Sequence, residues 1–210
     1  MTQDALFDLE ALAREAVAAT PWHGAPLTYT ADYWTPDELD AAFDRYRAEF
    51  GSFGCLPRSH MWHRALCHPP LVAAGHELHL FSVNNRCTET DHDHTAQPLP
   101  EGYLGQVICP TCRWHLIDTD SLLVEAWHDH AMPGWRNLPV LPDKLRTRCD
   151  ENRQSKQRRL EWVQEHYPPQ WLFDGAPILT HRTQDGTCAV PGRSPLGGYD
   201  ITAPAETGQP

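Results

Sequence analysis

The sequence predicts an α+β fold in which a small antiparallel β-ribbon packs with several helices and is followed by an extended C-terminal tail. Four segments repeat apolar residues at helical spacing, and two short segments alternate apolar and polar residues as strands do. The 19 prolines and 13 glycines among 210 residues indicate many turns and short elements. A chain of this length can bury a sizeable core, so we expect one compact domain.

The four predicted helices are recognised by their apolar stripes and by the residues at their ends. They comprise residues 4–19, 35–50, 120–132 and 143–166. In the second helix Thr35 and Glu38 have the spacing of a capping box, and Pro36 suits the first helical position. The third helix is expected to end at Pro133, because proline and the following glycine interrupt the helical pattern.

Two predicted strands, residues 76–83 and 105–109, form the ribbon. Beyond residue 169 the tail is predicted to be extended. Asp185-Gly186, between residues 178–183 and 187–190, has the sequence of a hairpin turn that would pair these two segments. Along the chain we distinguish an N-terminal helical region (1–76), a metal-binding region (77–142), and a basic helix with an extended hairpin and tail (143–210).

Cysteine and histidine residues are concentrated around the predicted ribbon. Cys109 and Cys112 have the two-residue spacing with which a pair of thiolates can chelate one tetrahedral ion. Cys87 and His92 lie upstream, close enough in sequence for a loop to fold back onto that pair. The sequence therefore predicts a zinc-ribbon-like site in which Cys87, His92, Cys109 and Cys112 hold a structural zinc ion.

Other histidines leave alternatives open. His94 or His115 could replace His92 in the predicted shell. Histidines 92, 94, 115 and 128 could also surround an ion that keeps an open coordination position, as in a metal-dependent hydrolase. His128 and His130 lie about 200° apart on a helix, so only one of them can join a given site.

The charge of the chain is uneven. The net charge of −11 opposes non-specific attraction to a phosphate backbone. Residues 1–50 contain ten acidic and three basic residues (net −7), whereas residues 144–159 contain seven basic and two acidic ones (net +5). This distribution favours a protein partner and leaves nucleic acid open. The candidate phosphate contacts are Lys144, Arg148, Lys156 and Arg159, although a solvated surface helix is the simpler interpretation of that segment.

Composition also bears on the compartment. No apolar run approaches the ~20 residues needed to span a bilayer, so we expect no membrane contact. The N-terminal residues are acidic and lack the basic segment of a signal peptide. Seven cysteines without a regular spacing are more typical of a reducing cytoplasm than of a disulfide framework.

Three segments resemble a family of small zinc-ribbon-like proteins, of unassigned activity, from actinobacteria and their phages. These segments are CPTCRW at 109–114, EAWHDHAMPGWRNLPVLP at 125–142 and VPGRSPLGGYD at 190–200. The resemblance covers much of the chain from residue 78 onward, and its most distinctive part is PGWR at 133–136. It implies a cytoplasmic protein of a high-GC host or a mobile element, and it implies no activity.

These observations favour a non-enzymatic zinc-binding accessory or regulatory protein that contacts a protein or nucleic-acid complex. The sequence contains no nucleophile elbow, phosphate-cradling glycine loop or kinase-like motif, which speaks against an enzyme. A metal-dependent hydrolase that uses the histidine-rich cluster is the alternative. The sequence does not predict an oligomeric state.

Overall fold

The α+β class predicted from the sequence is confirmed by a computed structural model, which describes residues 3–50, 60–65, 70–86, 99–119, 122–146, 153–181 and 194–203. The helices in this part of the chain are α1 (Gln3–Ala19), α2 (Pro36–Phe50), α3 (Leu123–Ala131) and α4 (Arg153–His166). The strands are β1 (His63–Arg64), β2 (Leu71–Ala73), β3 (His76–Asn84), β4 (Tyr103–Cys109), β5 (Trp114–Asp118), β6 (Val140–Leu141), β7 (Ile178–Thr180) and β8 (Asp200–Thr202).

The predicted capping box forms at the start of α2. The backbone N–H of Thr35 donates to Glu38 Oε2 at 2.8 Å, and the N–H of Glu38 donates to Thr35 Oγ1 at 3.3 Å. Because these two bonds satisfy amide groups that have no partner inside the helix, they fix where α2 begins. Leu39 and Ala42 are then buried on the inner face of α2.

The main sheet is antiparallel and has the order β1-β3-β4-β5, with β2 also paired to β3. The ribbon of two strands predicted at 76–83 and 105–109 is its centre, as β3 and β4. Successive residues of β3 point to opposite faces, as the geometry of a strand requires. Leu78 and Leu80 join one apolar core, whereas Phe81 and Val83 join another.

Helices therefore cover both faces of the sheet. On one face α2 contributes Leu39 and Ala42 to the core around Phe81. On the other face α3 contributes Trp127, which is fully buried together with Trp135. Alternate residues of each strand point to opposite faces of the sheet, so the position of a residue in its strand determines whether its side chain lies on the face covered by α3.

A second, three-stranded sheet is parallel and has the order β6-β7-β8. The sequence predicts that residues 178–183 belong to a hairpin, but Ile178–Thr180 pairs with Val140–Leu141 and Asp200–Thr202. The other predicted hairpin strand, residues 187–190, lies outside the described residues. The described part of the tail packs against the rest of the fold, because it forms β8 and contains the fully buried Tyr199.

The predicted helix at 143–166 is shorter in the structure. Residues 143–145 form a 3-10 turn, and α4 begins at Arg153. Residues 147–152 lie outside the described part of the chain. In the described helices we find none that is long and apolar enough to cross a lipid bilayer.

Candidate metal centre

The turn between β4 and β5 presents the two cysteines of the predicted pair. Cys109 ends β4, Pro110–Cys112 forms a 3-10 turn, and Arg113 follows with φ of 53°. The backbone N–H of Arg113 donates to the Pro110 carbonyl at 3.1 Å, which closes the turn. Proline at the first turn position and a left-handed residue at its end thus produce a tight knuckle that carries both sulfur atoms.

His76 reaches the same end of the sheet from a second tight turn. Ala74 and Gly75, with φ of 52° and 78°, connect β2 to β3, and His76 is the first residue of β3. Positive φ at both central residues is the arrangement of a two-residue hairpin. Because β3 and β4 are antiparallel, the start of β3 lies beside the end of β4.

The distances between His76 and the cysteines are those of a shared ion. His76 Nδ1 lies 3.7 Å from Cys109 Sγ and 3.3 Å from Cys112 Sγ. A tetrahedral zinc ion with ordinary bond lengths would separate a ligand nitrogen from a ligand sulfur by about 3.5 Å. With His130 included, the four ligand atoms all lie within 4.8 Å of one another.

His130 completes the cluster from α3. Its ring meets the ring of His76 edge-on at 5.0 Å between centroids, and it stacks on Trp114 at 4.5 Å with planes 4° apart. The Nε2 atom of His130 is buried and has no hydrogen-bond partner in the described structure. A buried polar atom without a partner is costly, so this nitrogen fits a metal ligand.

Glu77, next to His76, holds the three parts of the site together. Its Oε1 accepts a hydrogen bond from Thr111 Oγ1 at 3.1 Å, which ties the knuckle to β3. Its backbone carbonyl accepts one from Trp127 Nε1 at 2.8 Å, which ties α3 to β3. The hydrogen bond with His79 lowers the pKa of the Glu77 carboxyl, burial opposes this, and Thr111 lowers it further.

Without an ion, the cluster favours its neutral protonation states. Partial desolvation raises the pKa of the exposed Cys112 thiol, and the adjacent Cys109 raises it further, because two neighbouring sulfurs resist carrying charge together. A bound divalent ion reverses that preference and stabilises both thiolates. Burial lowers the pKa of His130, and His76 lowers it further, which keeps the imidazole neutral as metal binding requires.

Of the shell predicted from the sequence, Cys109 and Cys112 lie in this cluster. Cys87 and His92, and the alternative His94, fall outside the described residues. Asn84 at the end of β3 pairs with Tyr103 at the start of β4, at the end of the sheet opposite to the cluster. The two ends of β4 are roughly 20 Å apart at the usual rise of a strand.

His115 lies on the opposite face of the sheet from the cluster. Cys109 pairs with Trp114, whose ring meets His130, so the next residue of β5 points the other way. There, the Nδ1 atom of His115 lies 2.8 Å from Gln106 Nε2, and its ring packs edge-on against Tyr33. The structure therefore does not bring His115 to the cluster of candidate ligands.

His128 is also separate from the cluster. It is fully buried, its Nδ1 donates to the Val124 carbonyl at 2.7 Å, and its ring packs edge-on against Trp127. Burial lowers the pKa of His128 to about 4, against the hydrogen bond to Val124, which raises it. Among the described residues, His128 is therefore a core residue that does not belong to the cluster of candidate ligands.

Sequence reasoning did not single out His76 and His130 as candidate ligands. His130 belongs to a His-Asp-His triplet from which helical geometry allows only one member to join a site. His76 begins the strand that was predicted to pair with 105–109, and antiparallel pairing alone would have placed it near Cys109. That pairing was the available signal for His76. For His130 the only signal in the sequence is the His-Asp-His triplet. Which of its two histidines lies in the cluster depends on how α3 packs on the sheet.

The described candidate phosphate contacts do not form a single exposed basic surface. Lys144 and Lys156 are exposed, and Arg148 lies outside the described residues. Arg159 is only 2% exposed, and its Nε donates to the Leu145 carbonyl at 2.9 Å. Arg159 is thus a buried residue that anchors the preceding 3-10 turn, rather than part of a solvated helix surface.

No curated protein and no solved structure shows significant similarity to the chain. A family model does match: that of DUF6349, described as a family of unknown function, over residues 24–210. The match includes the whole knuckle, β3 and α3, and therefore every residue of the candidate metal centre. Since the matched range is most of the chain, the protein belongs to DUF6349.

Proposed function

We propose that His76, Cys109, Cys112 and His130 bind one zinc ion in a zinc-ribbon-like site. The observation that supports this most directly is the convergence of four ligand atoms within 4.8 Å from separate elements of the fold. Two thiolates and two imidazoles form the donor set that suits tetrahedral zinc, whereas calcium and magnesium prefer oxygen ligands.

The proposed ion is structural. It would join the β2–β3 turn, the knuckle and the C-terminal end of α3. Four protein ligands leave no open position for a water molecule or a substrate, which is the distinction between structural and catalytic zinc sites. The described residues thus favour a binding protein over a hydrolase.

The biological role that we infer is that of a non-enzymatic accessory or regulatory protein in the cytoplasm, which contacts a protein or nucleic-acid complex. The metal-bound knuckle would present a rigid surface, since Thr111, Cys112 and Arg113 are all exposed. The acidic N-terminal part of the chain favours a protein partner with a basic surface. A reducing compartment would keep the two thiolates available for the metal.

Elemental analysis of the full-length, untagged chain tests the metal site. We expect one zinc per chain, and we expect His76→Ala and His130→Ala to lose it. Cys87→Ser and His92→Ala are matched controls, because they remove the same kinds of ligand from the shell predicted by sequence alone. Cobalt substitution should give the visible absorption of a tetrahedral Cys/His site in the wild type and in these controls.

Zinc loss from Cys87→Ser and His92→Ala, with full retention in His76→Ala, would replace this shell by the one predicted from the sequence. A chain that binds no zinc would overturn the proposal entirely. Two zinc ions per chain, or one ion that a chelator removes without lowering Tm, would favour the alternative function of a metal-dependent hydrolase. For a structural site at zinc 100-fold above Kd, chelation should cost about 3 kcal/mol and lower Tm by roughly 6–12 °C.

The binding role needs its own test. Affinity capture from a lysate, followed by direct binding measurements with each purified candidate, should be run with zinc-loaded and chelator-treated chain. Partners whose purified form binds only the zinc-loaded chain support the role. Equal binding to both forms would show that the metal centre does not shape the interaction surface.

A further inference from the structure

A basic cleft lies away from the residues of the metal centre, between α4 and the turn formed by residues 194–197. Its volume is about 380 Å³, within the usual range for small-molecule sites. The cleft is lined by three cations of α4 and by the facing turn, namely Arg153, Lys156, Arg159, Ser194, Pro195 and Gly197. Among the described lining residues none is a carboxylate, which is notable in a chain with a net charge of −11.

One face of α4 forms the helical wall of the cleft. Arg153, Lys156, Gln157 and Leu160 follow the i, i+3, i+4, i+7 spacing that aligns side chains on a helix. Arg153 and Lys156 are exposed and can move toward a ligand, whereas Arg158 is exposed and does not line the cleft. Of the exposed basic residues of α4, Arg153 and Lys156 thus line the cleft and Arg158 does not.

Arg159 lies deeper and is held in place. It is 2% exposed, and its Nε donates to the Leu145 carbonyl at 2.9 Å. Burial lowers the pKa of its guanidinium, while the negative charge of Asp200 raises it. The charge of Arg159 is thus opposed inside the fold, and Arg159 serves mainly to shape the cleft, whereas the exposed Arg153 and Lys156 supply the cations that can meet an anion.

The opposite wall is a well-anchored turn. The backbone N–H of Leu196 donates to Ser194 Oγ at 3.1 Å, and the N–H of Gly197 donates to the Ser194 carbonyl at 3.1 Å. The Leu196 carbonyl in turn accepts from Gly175 N–H at 2.7 Å, which fixes the turn to the segment before β7. The cleft is thus pre-formed on this side, which reduces the entropy lost on binding.

We propose that this cleft binds a phosphate-type oxyanion, carried either by a small phosphorylated molecule or by a nucleic-acid backbone. Two exposed cations, Arg153 and Lys156, line the cleft, and phosphate oxygens are acceptors that arginine and lysine side chains recognise well. The cleft uses none of the metal ligands, so this inference stands independently of the zinc site.

The test measures binding to the full-length, zinc-loaded chain with two probes. Inorganic pyrophosphate, followed by calorimetry, represents a small phosphorylated molecule, and a short labelled single-stranded oligonucleotide, followed by fluorescence anisotropy, represents a backbone. The variant Arg153→Glu/Lys156→Glu should weaken binding of the responding probe at least about tenfold. Arg158→Glu is the matched control for the single variant Arg153→Glu, because both make the same charge change on the same helix and only Arg153 lines the cleft.

Each outcome has a defined meaning. Binding of pyrophosphate that the double variant weakens supports a cleft for a small phosphorylated molecule. Binding of the oligonucleotide alone, weakened in the same way, supports a backbone contact. If neither probe binds at low salt, or if Arg158→Glu and Arg153→Glu each weaken binding equally, the proposal is overturned, because general electrostatic attraction would then suffice. Far-ultraviolet circular dichroism and Tm verify that each variant folds.

Discussion

The imidazole of His130 lies flat on the indole of Trp114, with ring centroids 4.5 Å apart and planes inclined by only 4°. Trp114 pairs with Cys109 across the β4–β5 hairpin, so one aromatic ring connects the cysteine knuckle to α3. The stacked ring fixes the direction in which His130 presents its nitrogen to the other three ligand atoms. Mutation of a residue that orients a ligand typically costs 10- to 100-fold in metal affinity.

We therefore predict that Trp114→Leu lowers zinc affinity roughly 10- to 100-fold, because His130 loses its support. Competition with a chromophoric chelator measures this. The control is Trp162→Leu, since Trp162 stacks in a similar way on His166, at 4.3 Å, on α4. Equal affinity losses in the two variants would show that the effect comes from general destabilisation rather than from the orientation of His130.

Arg136 is expected to clamp the end of α3 that carries His130. Its Nε and Nη2 donate to the two carboxylate oxygens of Asp129 at 2.9 and 2.8 Å, and its Nη1 donates to Glu125 at 3.0 Å. Arg136→Lys removes the two-pronged contact, and it should cost about 1 kcal/mol and lower Tm by roughly 2–4 °C.

Arg47→Lys is the matched control for that change. Arg47 makes a single longer contact of 3.7 Å with Asp44, and both side chains are well exposed. Exposed pairs of this kind contribute little, so its Tm should stay unchanged. If Arg136→Lys also leaves Tm unchanged, the clamp is not a source of stability.

Gly198 is predicted to tolerate no side chain. A Cβ atom there would lie 2.2 Å from the Ala176 carbonyl oxygen and 2.3 Å from that of Gly175, so backbone would have to move. Gly198→Ala should destabilise the fold by at least about 3 kcal/mol, at the upper end of overpacking costs. The neighbouring Gly197→Ala meets no atom within 4 Å and has only the cost of its φ of +75°, about 1 kcal/mol. Urea denaturation compares the two, and equal losses would argue against the steric explanation.

Tyr167 should make the protein sensitive to alkaline pH. Burial raises the pKa of Tyr167 to about 12, against its hydrogen bond from the Leu179 N–H, which lowers it. Because the folded state holds this proton more tightly than the unfolded state, its contribution is complete below pH 10. It is then lost as the pH rises from 10 to 12, by about 3 kcal/mol.

Denaturation curves across that pH range test the sign. Tyr167→Phe should flatten the loss of stability between pH 10 and 12, although it costs roughly 1–3 kcal/mol at neutral pH because the Leu179 N–H loses its acceptor. The control, Tyr103→Phe, changes a tyrosine that is 53% exposed and should leave the slope unaltered. An unaltered slope in Tyr167→Phe would contradict the prediction.

Patterns that involve near neighbours in sequence were read correctly at the start of α2 and in the central strands, although the helix predicted at 143–166 begins only at Arg153. The capping box of Thr35 and Glu38 could be predicted because both partners lie within one helical turn. The strands at 76–83 and 105–109 followed from alternation, which is likewise local. The parallel pairing of Ile178–Thr180 with β6 and β8 could not be predicted. Both partner strands are distant in sequence, and no turn sequence connects them directly to β7.

The candidate metal centre likewise combines residues that local sequence identifies with residues that only the tertiary structure brings together. Cys109 and Cys112 are recognisable from their spacing, because a single 3-10 turn brings their side chains together. Short sequence distance also made Cys87, His92 and His115 reasonable candidates, but strand parity turns His115 to the other face. His76 is 36 residues from Cys112, and it meets that cysteine only through the antiparallel pairing of β3 with β4.

The amino-acid sequence alone thus specifies the elements with local causes: the start of α2, the central strands and the cysteine knuckle. Tertiary packing selects the rest of the candidate shell, because His76 and His130 become neighbours only when α3 lies on the sheet with Trp114 against it. The physical reason is that capping, turn and alternation preferences act over a few residues. A tetrahedral site instead depends on where separate elements place their side chains within a few ångströms of one another.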